Sequence, residues 1–279
     1  MIIFFGSGRL GNQIFQYVGL KHYFPKHKLF FFGCPTLRNT FNITDVTFIS
    51  SNTNSFLYKV LKIILYFLIK FRFLGEIKEI NNNTKLYVQR GLLWNMLIAQ
   101  NIYFQYNSFT NTIFNLPTIK NKLLAFAKNW LRKKKVFKKK SNLVFVHIRR
   151  GDYFSWPDVN FPAVLDLRWY KKNMIHIKNI VKNPIFVIMG DDNLYIRNSF
   201  KESKSLIISN NLVEIDLSIM SLCSFGILSP SSLAWWGAFY GKNYNKKKNY
   251  FIAPKYWAGH RRKKWFPANF HTDWITYIE

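Results

Sequence analysis

Acid is what this chain lacks most. Of its 279 residues only 13 are Asp or Glu, against 41 Lys or Arg, a net charge of +28. No acid occurs before Asp45. An imbalance of this size points to a polyanionic partner: nucleic acid, an anionic membrane face or a phosphorylated substrate. Phe, Ile, Asn and Lys are abundant throughout, so bulk composition accounts for part of the charge. Cysteine is also scarce. Cys34 and Cys223 stand alone, with no C-x-x-C pair, which argues against both a disulfide framework and a zinc site and fits a reducing cytosol. Long apolar runs are missing too. The longest, Ile63–Ile69, falls far short of the ~20 residues that a membrane span needs. Met1 leads straight into Ile2-Ile3-Phe4-Phe5 without a basic n-region or a long apolar h-region, so no secretory leader is expected. No fixed-period repeat, helix-turn-helix, zinc-finger or RNA-recognition signature is present.

The hydrophobic fraction of 49% suits a globular chain with a full core, and the length allows one large domain or two lobes. Residues 2–5 read as a buried strand, followed by Gly6-Ser7-Gly8-Arg9-Leu10-Gly11 and a helix carrying Ile14, Phe15, Val18 and Leu20. This is G-x-G-x-x-G in its strand–loop–helix context. A dinucleotide site also needs an acid about 20 residues further on for the ribose, and none exists before residue 45. Arg9 and Asn12 suggest a substrate edge instead; the plainer alternative is a tight turn. Residues 35–55 look irregular. In 56–70, Lys59, Lys62, Tyr66 and Lys70 share one helical face in an otherwise apolar segment. Two readings stand there: a basic amphipathic helix on an anionic membrane, or a largely buried helix with snorkelling lysines. Asn81-Asn82-Asn83-Thr84 reads as a turn, and Leu86–Gln89 and Ile102–Tyr106 read as short strands. A helix after Pro117 runs into the basic segment 132–140, expected to be a solvated linker that can also touch anionic lipid. The domain boundary is therefore expected near residue 141, dividing the chain into 1–140 and 141–279.

The second half alternates strands (143–148, 184–189, 205–209, 226–229, 250–253) with helices (166–181, 192–200, 212–222, 231–241). That is a βα repeat and hence a mostly parallel α/β sheet. Polar residues follow three strand ends: His147-Ile148-Arg149-Arg150-Gly151-Asp152-Tyr153, Gly190-Asp191-Asp192 and Ser229-Pro230-Ser231-Ser232. In open α/β sheets ligands bind at that end. Consecutive arginines suit a diphosphate, whose oxygens they grip as planar forks; an Arg–Asp pair closing a turn is the alternative. Hydroxyls before a helix can help to cradle phosphate, although Ser231 alone reads as an N-cap and Trp235-Trp236 as core. Together the three strand ends favour a nucleotide-diphosphate site. The tail from Tyr256 to Phe266 interleaves bases and aromatics, as in single-strand binders, but reads better as a surface tail anchored by its aromatics.

Gly8-Arg9-Leu10-Gly11-Asn12-Gln13, His147 to Tyr153, Gly190-Asp191-Asp192 and Ser229 to Ala238 occur in this order. Together they resemble the bacterial α-1,2-fucosyltransferases of glycosyltransferase family 11. Pro230, Leu233-Ala234 and Gly190 depart from the family pattern, where Asn, Phe-Ser and Ser are expected. The resemblance implies a GT-B-like fold of two Rossmann-like lobes, an N-terminal acceptor lobe and a C-terminal lobe that binds GDP-fucose, with the active cleft between them. It implies inverting transfer of L-fucose to the 2-hydroxyl of a galactose in a surface glycan of the O-antigen type, without a metal or other cofactor. It also implies roles for individual residues. Arg149 would grip the β-phosphate, with Arg150 and Asp152 shaping its loop. His147, Asp191 and Asp192 would meet guanosine, and Ser229, Ser231 and Ser232 the phosphates. Gly8, Arg9, Gly11 and Asn12 would face fucose and acceptor. The residues agree chemically. There is no Asp-x-Asp to hold a cation, and an arginine can neutralise the departing β-phosphate electrostatically. Asp152 and Asp158 are the candidate bases nearest the motif; Asp152 can equally hold Arg150 and the loop. The expected setting is cytoplasmic, peripheral at the inner membrane face, with a lipid-linked glycan as acceptor and no nucleic acid.

Overall fold

The computed structural model describes residues 1–49, 56–80, 85–93, 95–112, 116–137, 142–245 and 248–279. The expected turn at 81–84, the junction at 141 and Lys138–Lys140 of the basic segment lie outside them. The chain divides into two compact units, Met1–Thr118 and Ile119–Glu279.

In the first unit, β1 (Ile2–Phe5), β2 (Leu29–Phe32), β4 (Val46–Ile49), β5 (Gly75–Ile80), β6 (Lys85–Gln89) and β7 (Leu97–Gln100) form one sheet in the order β4-β2-β1-β7-β5-β6. Every pairing is parallel except β5 with β6. Helices α1 (Leu10–Tyr23), α2 (Pro35–Thr40), α3 (Phe56–Lys70) and α4 (Asn107–Thr110) and the two-residue β3 (Phe41–Asn42) complete it. Its core is aromatic: Phe4, Phe15, Phe31, Phe104 and Phe109 are fully buried, and the rings of Phe4 and Phe31 lie 4.7 Å apart.

The expected strand at 102–106 is absent. Ile102, Phe104 and Tyr106 are buried in the alternation that mimics a strand. Asn101 (φ 55°) and Phe104 (φ 53°) are left-handed, however, which breaks extended backbone. The amides of Tyr103 and Phe104 donate instead to the half-buried carboxylate of Glu79, at 2.8 and 2.6 Å. The strand that pairs here is β7, just upstream.

In the second unit, β9 (Asn142–Ile148), β10 (Pro184–Gly190), β11 (Leu206–Ile208), β12 (Phe225–Ile227), β13 (Tyr250–Pro254) and β14 (Thr276–Ile278) form an all-parallel sheet. Their order is β11-β10-β9-β12-β13-β14. Counted within the unit this is 3-2-1-4-5-6, the Rossmann order, which reverses between β9 and β12. Central β9 is apolar on both faces, as a strand covered on both sides must be: Leu143, Val144, Phe145, Val146 and Ile148 are all buried. The covering helices are α5 (Asn121–Lys133), α6 (Leu167–Ile180), α7 (Asn193–Ser199), α8 (Val213–Ser221) and α9 (Ser232–Tyr244). The two-residue β8 (Thr118–Ile119) spans the division between the units.

The boundary near residue 141 is thus corrected to 118/119. Helix α5 buries Ala127 and Leu131 and packs against α8, so it belongs to the second unit. The described part of the basic segment is not a free linker. Val136 is buried, and Lys134 donates to Glu202 at 3.0 Å. The basic aromatic tail also packs onto this unit: Trp257 is buried, and Phe266 makes an edge contact with Trp156.

Candidate active site

The C-terminal ends of β9 and β12 lie side by side where the strand order reverses, and both carry sequence-marked loops. His147, near the end of β9, is buried, and its Nδ1 lies 2.7 Å from Ser229 Oγ in the loop after β12. Burial, reinforced by the charge of Arg149, pushes the His147 imidazole down to about 3, so it is neutral at physiological pH. The backbone joins the same two loops, Ser229 N donating to His147 O at 3.1 Å. After β9 the chain makes a 3₁₀ turn, Gly151–Phe154, which seats Tyr153 so that its hydroxyl donates to Pro230 O at 2.9 Å. Ser231 occupies the N-cap of α9 without making a side-chain cap bond. The Trp235-Trp236 pair is core, both rings being fully buried.

The two arginines are held in different ways. Arg149 places Nη1 2.9 Å from Asp191 Oδ2 and Nη2 on the Asp152 carboxylate; its side chain is only 11% exposed. Arg150 bonds through Nε to Asp192 Oδ2 at 3.2 Å, and its amide donates to Asp191 Oδ1 at 2.8 Å. The Arg150 guanidinium lies against two rings, 3.4 Å from the Tyr195 centroid and 4.8 Å from that of Phe154. Asp192 also caps α7 by accepting from Tyr195 N at 2.9 Å. Four charged side chains from two loops therefore fix one another, with Asp152 joining from the 3₁₀ turn. Gly151 is tied to this packing, because a Cβ there would meet Asp191 Oδ2 at 2.6 Å.

In the first unit the loop after β1 begins α1. Gly8 has φ +72°, a conformation that favours glycine, and a Cβ on it would lie 2.4 Å from Asn12 Nδ2. Asn12 Oδ1 accepts from Gln105 Nε2 at 2.9 Å, Gln13 Nε2 donates to Gly8 O at 3.2 Å, and Gln16 Nε2 donates to Ser7 Oγ at 2.7 Å. Arg9 sits at the N-cap of α1, and Gly11 is buried in its first turn. The side-chain amide of Asn12 is thus held by Gln105, with Gly8 packed against it.

The structure brings His147, Arg149, Arg150, Asp152, Asp191, Asp192, Ser229 and Ser231 to the ends of β9, β10 and β12, with Ser232 opening α9. Gly8 and Arg9 lie in the loop after β1, and Gly11 and Asn12 in the first turn of α1. One expectation changes: Asp152 holds Arg149, and the partner of Arg150 is Asp192. Asp158, the other candidate base, is bonded to Arg262 and to the amide of Asn160. Sequence reasoning missed Tyr153 as the bolt between two loops, Tyr195 as the platform under Arg150, and Gln105. Tyr195 could have been found from its place three residues after Asp192; nothing in the sequence marks Gln105. The glycine at 190 also gains a reason. A Cβ there would sit 2.0 Å from Ile148 O, so this packing of β9 on β10 has no room for the family's serine. Among the described residues no group of three or more His, Cys, Asp or Glu is arranged to hold a metal ion.

Two Rossmann-like α/β units, each with polar residues after its strands, define the GT-B architecture. More particularly, the chain belongs to glycosyl transferase family 11, whose model matches residues 37–279. It is 28% identical to the O-antigen biosynthesis glycosyltransferase WbnK of Escherichia coli, over 92% of this chain and 95% of that one. An alpha-1,2-colitosyltransferase of Escherichia coli is 33% identical over 42% of this chain and 41% of its own. Among solved structures, POFUT1 in complex with GDP shares the fold at a TM-score of 0.55 with 12% identity, covering 90% of this chain and 97% of that one.

Proposed function

We propose that this glycosyltransferase moves L-fucose from GDP-fucose to the 2-hydroxyl of a galactose, or a similar residue, in a bacterial surface glycan of the O-antigen type, with inversion at the anomeric carbon. The observation that carries the reading is the Arg149–Asp191–Asp152 network at the switch point of the second sheet. Breaking a sugar–diphosphate bond builds negative charge on the β-phosphate, and a rigid guanidinium aimed there stabilises the transition state without reorganising. The carboxylates of Asp152 and Asp191 hold Arg149 in place before substrate arrives, and Asp192 with Tyr195 does the same for Arg150. The Ser229–Ser232 loop leads into the N-terminus of α9, whose amides favour an anion. His147, neutral and bonded to Ser229, fixes that loop. In this reading Gly8, Arg9 and Asn12, at the start of α1, bind the acceptor, and no metal is needed. The name of WbnK supports an O-antigen glycan as acceptor.

The name of the colitosyltransferase favours a second reading, in which a related deoxysugar is the one transferred. Both are tested by offering GDP-fucose and GDP-colitose with a galactoside acceptor, with and without chelator, and determining the product linkage by NMR. An α-1,2-fucosylated product formed at full rate with chelator supports the first reading. Selective use of GDP-colitose supports the second, and strict metal dependence contradicts the role given to Arg149.

A further inference from the structure

Helix α3 has three faces, not two. Tyr58 and Leu65 are buried, with Leu61, Leu68 and Ile69 packed against the core of the first unit. The opposite arc is exposed, and it is split lengthwise. Tyr66, Lys59 and Lys70 line one flank. Phe56 (78% exposed), Ile63, Phe67 and Ile64 line the other, and Phe71 continues that row one turn beyond Phe67. The apolar flank does not stop with the helix. Phe71 (65% exposed) and Phe73 follow it, and backbone bonds from Leu92 N to Arg72 O and from Leu93 N to Phe73 O set two more exposed leucines beside them. Neither expectation for 56–70 fits unaltered: one face is buried, and the exposed arc is apolar as well as basic.

The charge of the patch is of one sign. There is no Asp or Glu from residue 46 to 75 or from 80 to 151. The two acids between those stretches are already engaged, Glu76 with Lys78 at 2.7 Å and Glu79 with two backbone amides. Exposed apolar groups of this extent in a soluble fold mark an interaction surface. A stripe of lysines along an apolar row is the arrangement that sits at a lipid interface, with rings among the acyl chains and ammonium groups at the headgroups. A second copy of this chain is a poor occupant, because an isologous contact would set these cations against one another.

We propose that the apolar row Ile63, Phe67, Phe71, Phe73, Leu92 and Leu93, with Lys59, Lys70 and Arg72 beside it, docks the first unit on an anionic lipid bilayer. The rings enter the interface, and the cations meet the headgroups. The bound unit then lies along the surface, since no helix among the described residues is long and apolar enough to cross a membrane.

Co-sedimentation of the full chain with phosphatidylcholine vesicles, with and without phosphatidylglycerol, tests this. The wild type should bind the anionic vesicles more tightly than the neutral ones, and high salt should weaken that preference. The variant Lys59→Gln/Lys70→Gln/Arg72→Gln should lose about 100-fold in partitioning to anionic vesicles, roughly fivefold per charge, with little change on neutral ones. The variant Phe67→Ser/Phe71→Ser should lose at least about tenfold on both. All the substituted side chains are exposed, so melting temperatures should stay close to wild type. Equal binding to neutral and anionic vesicles would overturn the proposal, as would binding unchanged in both variants. So would vesicle binding that is absent while the same substitutions convert an oligomer to monomers.

Discussion

Replacing Arg149 by alanine removes the cation assigned to the departing phosphate, and its consequences can be worked from its contacts. Loss of one fixed electrostatic contact to a developing oxyanion costs ~10²–10³ in rate, or about 2.7–4 kcal/mol. The geometry adds a second effect. Arg149 separates Asp152 from Asp191, with Nη1 2.9 Å from the latter, and its side chain is only 11% exposed. In the proposed site its loss would leave two carboxylates close to the diphosphate, so GDP binding should weaken as well as turnover. Stability should fall by about 1 kcal/mol, because Asp152 is 55% exposed and Asp191 keeps its bond from the Arg150 amide. Arg149→Lys keeps the charge but loses the fork that reaches both acids, and should recover only part of the rate. Rates of fucose transfer under saturating donor, with GDP affinity by calorimetry, measure both effects. Turnover of Arg149→Ala within tenfold of wild type would refute the role of this guanidinium, even if its stability had dropped as expected.

Tyr153→Phe removes the bond to Pro230 O and should lower stability by ~1 kcal/mol, with a larger proportional loss in kcat/KM if the two loops it joins form the proposed site. Gly190→Ser should destabilise strongly or fail to fold, since its Cβ would meet Ile148 O at 2.0 Å; chemical denaturation measures it, and a wild-type midpoint would contradict the packing described. Burial raises Asp216 to about 7, so the folded chain keeps a proton that the unfolded chain releases near 4; the stability this gives is present at acid pH and lost as pH rises through 7. Asp216→Asn should therefore raise the melting temperature relative to wild type more at pH 8 than at pH 5, and an increment that does not vary with pH would contradict this. His147 acts with the opposite sign: its imidazole is held down to about 3, so the unfolded chain takes up a proton below about 6.5 that the folded one refuses, and stability falls as pH drops through that range.

Much of the second unit was legible because its strands are short apolar runs ending in polar loops, and β9, β10 and α9 fall where that pattern puts them. The candidate site was legible for the same reason: its residues follow strand ends in the sequence, and a parallel sheet gathers strand ends on one side. Partner choice was not legible. Whether Asp152 meets Arg149 or Arg150 depends on the four-residue 3₁₀ turn Gly151–Phe154, and the sequence does not determine the side-chain directions within it. The basic segment misled because a run of lysines looks solvated, whereas buried Val136 and the Lys134–Glu202 pair fasten it to the second unit. The alternation at Ile102, Phe104 and Tyr106 misled because burial with a period of two does not require extended backbone; the side chain of Glu79 takes the amides of Tyr103 and Phe104 in place of a neighbouring strand.

The central claim is that the arginine loop at the end of β9 belongs to a GDP-sugar site, and nucleotide-dependent thermal stability tests it most directly. With GDP at about 100 times its dissociation constant the folded state gains ~2.7 kcal/mol, roughly 5–10 °C for a chain of this size. The prediction is a shift of that order with GDP, little or none with UDP, CMP or ADP, and its loss in Arg149→Ala. Equal shifts with all four nucleotides, or a GDP shift that survives in Arg149→Ala, would contradict it.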